Sequence, residues 1–141
     1  KNEVLNTHNE KRALHGVDPL KWSTSLAQFA ADYAASDFRC ENAELIHSDG
    51  SYGENLALGY VGGHEPVRAW YDEIKAYNWS NPGFSMKTAH FTQVIWKDTK
   101  EVGCAYVTCP NEWRQYTICE YDPPGNWEDE DEYRENVLRR V

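Results

Sequence analysis

Apolar residues recur at helical spacing near the start of the chain. Val4, Leu5, His8 and Arg12 share one face, which predicts a first helix from about Glu3 to Leu14, stopped by Gly16 and Pro19. Trp22, Leu26, Phe29, Ala30 and Tyr33 repeat the pattern and predict a second amphipathic helix with an aromatic-rich face. The Ser23-Thr24-Ser25 cluster supplies its cap, with Gln28 closing a capping box on Ser25. Residues 41–63 lose the period and read as loop with short turns or strand. His64-Glu65-Pro66 opens a third helix with Pro66 in its first turn, and Val67, Trp70, Tyr71 and Ile74 form its stripe. Asn81-Pro82-Gly83 marks a turn, and a short helix is predicted over Ala89 to Trp96.

The period then changes. Val102–Cys109 and Tyr116–Tyr121 flank Pro110-Asn111-Glu112-Trp113 and predict a β-hairpin. A turn centred on Asn111 and Glu112 sets Cys104 directly opposite Cys119, close enough to bridge. Cys109 is then on the other face of its strand, where it can meet Cys40 at the end of the second helix. The expected pairs are Cys40–Cys109 and Cys104–Cys119, which point to an oxidising compartment. Helices followed by a hairpin and an acidic tail make an α+β class. Residues 1–127 are read as the domain, and 128–141 as an acidic tail partly packed on it.

Composition narrows the function. The chain has 141 residues, enough for one domain, and its six Trp and nine Tyr can furnish a core. Its net charge of −9 speaks against nucleic acid and against attraction to anionic lipid surfaces. The acidic run Glu128–Glu132 reads as a solvated, mobile segment. No apolar stretch is long enough to span a bilayer. The chain begins at Lys1 without Met, so the lack of a signal peptide carries no weight. Asn78-Trp79-Ser80 is an N-glycosylation sequon, compatible with secretion.

The chemistry-bearing residues are scattered. His47-Ser48-Asp49 holds three triad residue types, but neighbours in sequence cannot adopt triad geometry. His64-Glu65 starts like a zincin motif, yet Arg68 occupies the place of its second histidine. His47, Glu54, Glu73 and His90 remain. Two imidazoles and two carboxylates suit zinc or another divalent metal, although nothing local brings them together.

Five ordered stretches carry a resemblance: HNEKR (His8–Arg12), LIHSDGSYGENLA (Leu45–Ala57), AWYDEI (Ala69–Ile74), AHFTQVIWKDT (Ala89–Thr99) and CEYDPPGNW (Cys119–Trp127). Together they resemble the CAP superfamily of cysteine-rich secretory, antigen 5 and pathogenesis-related proteins. The loop around Pro82-Gly83-Phe84 and the ending Tyr133–Val137 are similar to its fungal secreted branch. The resemblance implies a three-layer α-β-α sandwich around a central antiparallel sheet, and a monomer. It implies that His47, Glu54, Glu73 and His90 line one cavity, the histidines holding zinc with the glutamates nearby. It also implies a sterol-binding loop of Tyr77, Trp79, Pro82, Gly83 and Phe84. A fatty-acid channel between the first and last helices is implied as well, for which Val4, Leu5, Phe91, Val94 and Ile95 are candidate lining residues. Ala89, Thr117 and Glu120 depart from the family pattern.

These features make a secreted lipid-binding protein, taking sterols or fatty acids for lipid export or host interaction and virulence, the leading expectation. A metal-dependent hydrolase using the His/Glu cavity and an immune-modulating protein acting on a host protein by its surface are the alternatives. A glycan on Asn78 would place a bulky polar group on the sterol loop.

Overall fold

The computed structural model describes residues 2–141. Helix α1 runs Asn2–Leu14 and carries Val4, Thr7, His8 and Arg12 on its buried face. A two-residue strand β1, Lys21–Trp22, leads into α2, Thr24–Asp37. Strand β2 is Gly53–Leu58. Helix α3, His64–Asp72, continues as a 3-10 turn, Glu73–Ala76. Then come α4, Ala89–Ile95, the hairpin strands β3, Glu101–Thr108, and β4, Gln115–Asp122, and α5, Glu130–Asn136.

The four strands are ordered β1-β3-β4-β2. The hairpin and the β2–β4 pair are antiparallel, whereas β1 lies parallel to β3. The sheet is therefore mixed, because the chain reaches β1 directly from α1 and has no hairpin partner there. Trp22, read as the first residue of a helical face, belongs to this strand. The cap of α2 is Ser23 alone, whose hydroxyl accepts from the Leu26 amide at 3.1 Å. Gln28 donates to Asp32 instead of closing a box.

Strand alternation divides the core into two layers. One sheet face carries Leu56, Tyr116 and Ile118 and packs with Ala30, Ala34 and Phe38 of α2. The other carries Ala57, Val102, Cys119 and Tyr121 and packs with α1, α3 and α4 through Val4, Val67, Trp70, Phe91, Val94 and Ile95. This is the three-layer α-β-α arrangement. Helix α2 sits very close to β3, because a Cβ on Gly103 would lie 2.2 Å from the Ala27 nitrogen.

The disulfides lie where the register places them. Cys104 faces Cys119 and is bonded to it, and Cys40 is bonded to Cys109. The acidic run has a more definite structure than a mobile segment. Asp129 caps α5 by accepting from the Asp131 amide at 2.9 Å, and Glu130, Asp131 and Glu132 fill the first turn, where the helix dipole favours negative charge. The helix is anchored by Tyr133, fully buried edge-on against Trp96 at 5.0 Å, and followed by buried Val137.

Candidate functional site

Strand β2 separates two histidine–glutamate pairs. Residues 54, 56 and 58 face the α2 layer, and residues 55 and 57 face the α1/α3/α4 layer. On the first face, the His47 Nδ1–H donates to Glu54 Oε1 at 2.8 Å, and the Ser48 amide donates to the same oxygen at 2.9 Å. Across the strand, His90 Nδ1–H donates to Glu73 Oε2 at 2.7 Å, and the Phe91 amide donates to Glu73 Oε1 at 3.0 Å. Asn55 Nδ2 donates to the His90 carbonyl at 3.2 Å, and Trp70 stacks on the His90 ring at 6.0 Å. Each glutamate thus ties a histidine to a backbone amide. Gly53 supports this by its size, since a Cβ there would meet Gln93 Oε1 at 2.1 Å.

The four residues form two pairs. Among the described residues, no group of three or more His, Cys, Asp and Glu side chains is gathered to hold a metal ion. The donor set still fits a divalent cation in one respect. Both imidazoles place Nδ1–H on a carboxylate, which fixes the tautomer that leaves Nε2 with a lone pair, as metal-bound histidines require.

A fifth residue completes the α2-side pair. Glu120 lies directly opposite Glu54 in the β2–β4 register and is fully buried. Burial, then the neighbouring Glu54 carboxylate, push Glu120 up to about 10. Burial alone would also raise Glu54, but the hydrogen bonds from His47 and Ser48 and the neighbouring acid Glu120 outweigh it and hold Glu54 at about 2. Neither Glu120 oxygen, nor Glu54 Oε2, has a hydrogen-bond partner among the described residues, so Glu120 is a buried carboxyl held in its acid form beside an ionised Glu54. His47 is raised by its bond to Glu54. Sequence reasoning met Glu120 only as a departure from a family pattern, and its place opposite Glu54 follows from a β2–β4 pairing that no local signal announces.

The other buried histidines belong to the core. His8 donates from Nδ1 to the Val4 carbonyl at 2.9 Å and accepts from the Tyr121 hydroxyl at Nε2, 2.6 Å. Tyr121 in turn accepts from Asn55 at 3.3 Å, linking α1 to the His90 pair. His15 donates to the Leu138 carbonyl and accepts from Tyr71.

The aromatic loop is divided. Tyr77 is 7% exposed and packs edge-on against Trp79 at 4.7 Å and Phe91 at 5.7 Å. Trp79 stacks on His15, with the Arg139 guanidinium over its ring at 5.3 Å. Phe84, by contrast, is 47% exposed, and Met86 is 81% exposed. Gly83 and Phe84 face Glu128, Asp129 and Glu130 across a shallow hollow of about 320 Å³. Of the candidate channel residues, Phe91, Val94 and Ile95 are wholly buried packing of the core. Val4 instead reaches a larger cleft of about 720 Å³, lined by Trp22 of β1, by Val61, Gly62 and Gly63, and by Cys104, Ala105 and Tyr106 of the hairpin. No stretch of sequence announces this cleft, because its walls come from α1, β1, the loop before α3 and the hairpin.

Comparison with known proteins agrees with the fold. The model of the CAP family, the cysteine-rich secretory protein family, matches residues 5–121. The chain belongs to the CAP family. It is 56% identical over 124 residues to "Repressed by EFG1 protein 1" of Candida albicans, covering 88% of this chain and 46% of that protein. It is 44% identical over 126 residues to "Secreted protein RBT4" of the same organism, covering 88% of this chain and 35% of that protein. The chain thus spans less than half the length of these relatives. Among solved structures, the fold is similar to that of Na-ASP-1, with a TM-score of 0.75 at 21% identity, over 94% of this chain and 40% of that one.

Proposed function

We propose that this CAP domain acts outside the cell and binds a small apolar lipid, a fatty acid or a sterol, without chemical turnover. The observation that carries the reading is the 720 Å³ cleft. Its volume is that of a small-molecule site, and its walls are mainly apolar, from Val4, Trp22, Val61, Ala105 and Tyr106. Val61 and Tyr106 extend this surface to the mouth, where both are exposed. The one carboxylate at the cleft, Glu3, is engaged by the Gly63 amide at 3.1 Å. An acyl chain suits this cleft. The loop carrying Phe84 is the place for a sterol, since flat apolar rings cover one another well. Two disulfides and relatives named as secreted support the extracellular setting.

The test is equilibrium binding of labelled palmitate and labelled cholesterol to the purified chain, with Val61→Glu and Phe84→Ala beside it. Saturable palmitate binding lost in Val61→Glu, and cholesterol binding weakened in Phe84→Ala, are the expected results. Absence of saturable binding of either lipid contradicts the reading.

A second reading rests on the carboxylates at Nδ1 of both histidines. His47 and His90 lie on opposite faces of β2, so each would offer Nε2 separately to a divalent cation such as zinc, with water completing the shell. Bound there, the cation would supply Lewis acidity. Glu54 and Glu73 orient the imidazoles, Glu73 through both oxygens to His90 and Phe91, and Glu54 through Oε1 alone to His47 and Ser48. Calorimetric zinc titration tests this. Heat of binding reduced in His47→Ala and in His90→Ala supports it, and zinc binding undiminished in both variants contradicts it.

A further inference from the structure

Asn78 stands on the exposed side of a loop whose next residue points the other way. Trp79 joins the buried cluster between His15, Tyr77 and Phe91, while Asn78 and Ser80 are both exposed. The Asn78 side chain is already folded into an Asx turn, its Oδ1 accepting from the Ser80 amide at 3.0 Å. A second turn bond runs from the Asn81 amide to the Asn78 carbonyl at 3.2 Å. These bonds use the oxygen atoms of Asn78 and leave Nδ2 without a partner, pointing away from the packed Trp79. Replacing one Nδ2 hydrogen by a sugar therefore breaks no hydrogen bond and displaces no core side chain.

We propose that Asn78 carries an N-linked glycan, and that this glycan shields the 77–84 loop from large apolar ligands while leaving the cleft between α1 and the hairpin open. The second half rests on the lipid-binding reading above. The modification itself rests on the sequon, its exposure and the free amide. In the transfer, a lipid-linked oligosaccharyl diphosphate is the donor. Its anomeric carbon breaks its bond to the diphosphate oxygen and forms one to Asn78 Nδ2. The amide gives up a proton and the lipid diphosphate departs. None of the residues lining the cleft belongs to the loop, so the two lipid sites respond differently.

The experiment uses the chain secreted from a eukaryotic host, compared with the same protein after enzymatic removal of N-glycans and with Asn78→Gln and Ser80→Ala. Mass spectrometry of the tryptic peptide 76–87 reads occupancy, since enzymatic release leaves Asp at position 78. Chymotryptic cleavage after exposed Phe84 reads shielding without any lipid. Labelled cholesterol and palmitate read the two sites. The expected results are an occupied Asn78, cleavage after Phe84 slowed severalfold by the glycan, and cholesterol binding weakened severalfold with palmitate binding unchanged. An unmodified Asn78 in the secreted chain overturns the proposal, as does equal cleavage and equal cholesterol affinity in both forms. If the glycan slows cleavage but neither form binds cholesterol, the modification and its shielding stand and the sterol reading falls.

Discussion

Glu120 on β4 lies directly across from Glu54 on β2, and burial beside that carboxylate keeps Glu120 in its acid form. Glu120 is raised in the folded state, so the native chain binds more protons than the unfolded one above the ordinary carboxyl range. Its contribution is greatest below about pH 4.5 and is lost progressively as pH rises toward about 10. Gln at this position keeps the shape of the buried side chain and removes the titration. Glu120→Gln is therefore expected to raise stability at neutral pH by on the order of 2 kcal/mol and to flatten its fall between pH 5 and 9. Urea unfolding across that range checks this, and an unchanged slope argues against Glu120 as a buried acid.

His8 sets the acid limit from the other face of the sheet. Burial lowers it to about 4, outweighing its bond to the Val4 carbonyl. A depressed histidine gives stability that is present above the unfolded value near 6.5 and lost as pH falls toward about 4. That loss is roughly 3 kcal/mol by linkage. His15, also lowered by burial, adds to it. Thermal unfolding between pH 7 and 4 should show this decline, and proton NMR should find His8 still neutral at pH 5.

Arg12 is the buried cation of α1, and it works as a clasp. Its guanidinium donates to four backbone carbonyls, those of Asp18, Val94, Trp96 and Thr99. Two of them close the end of α4, whose last carbonyls have no partner within the helix. Arg12→Ala leaves these acceptors unpaired, and a loss of about 3 kcal/mol or more is expected. Arg12→Lys keeps the charge but lacks the planar fork, so it should recover only part of the stability.

The two disulfides should contribute unequally. Cys40–Cys109 closes a separation of 69 residues and Cys104–Cys119 one of 15. By chain entropy, removing the first by double Cys→Ala should cost about 4 kcal/mol, and removing the second about 3 kcal/mol. Denaturant unfolding of the two variants orders them.

What could be read from the chain depended on how local its cause was. The hairpin register followed from turn position and strand alternation, and it paired all four cysteines. Helices α1 to α4 followed from apolar spacing and from Pro66. Helix α5 escaped because its acids look like a solvated run until Asp129 is seen as a cap and Tyr133 as an anchor. The direction of Trp79 escaped for a different reason. Aromatic spacing in a loop gives the ring positions but not which rings turn toward His15 and Phe91. The Glu54–Glu120 pair and the cleft at Val4 and Tyr106 are products of non-local pairing, which no window of sequence contains.

The lipid-binding claim is tested most directly by native mass spectrometry of the purified chain mixed with equimolar palmitate, alongside Val61→Glu. One palmitate per chain, present in the parent and lost in the variant, is the predicted result. A parent chain that remains unliganded at saturating palmitate and at saturating cholesterol contradicts the account.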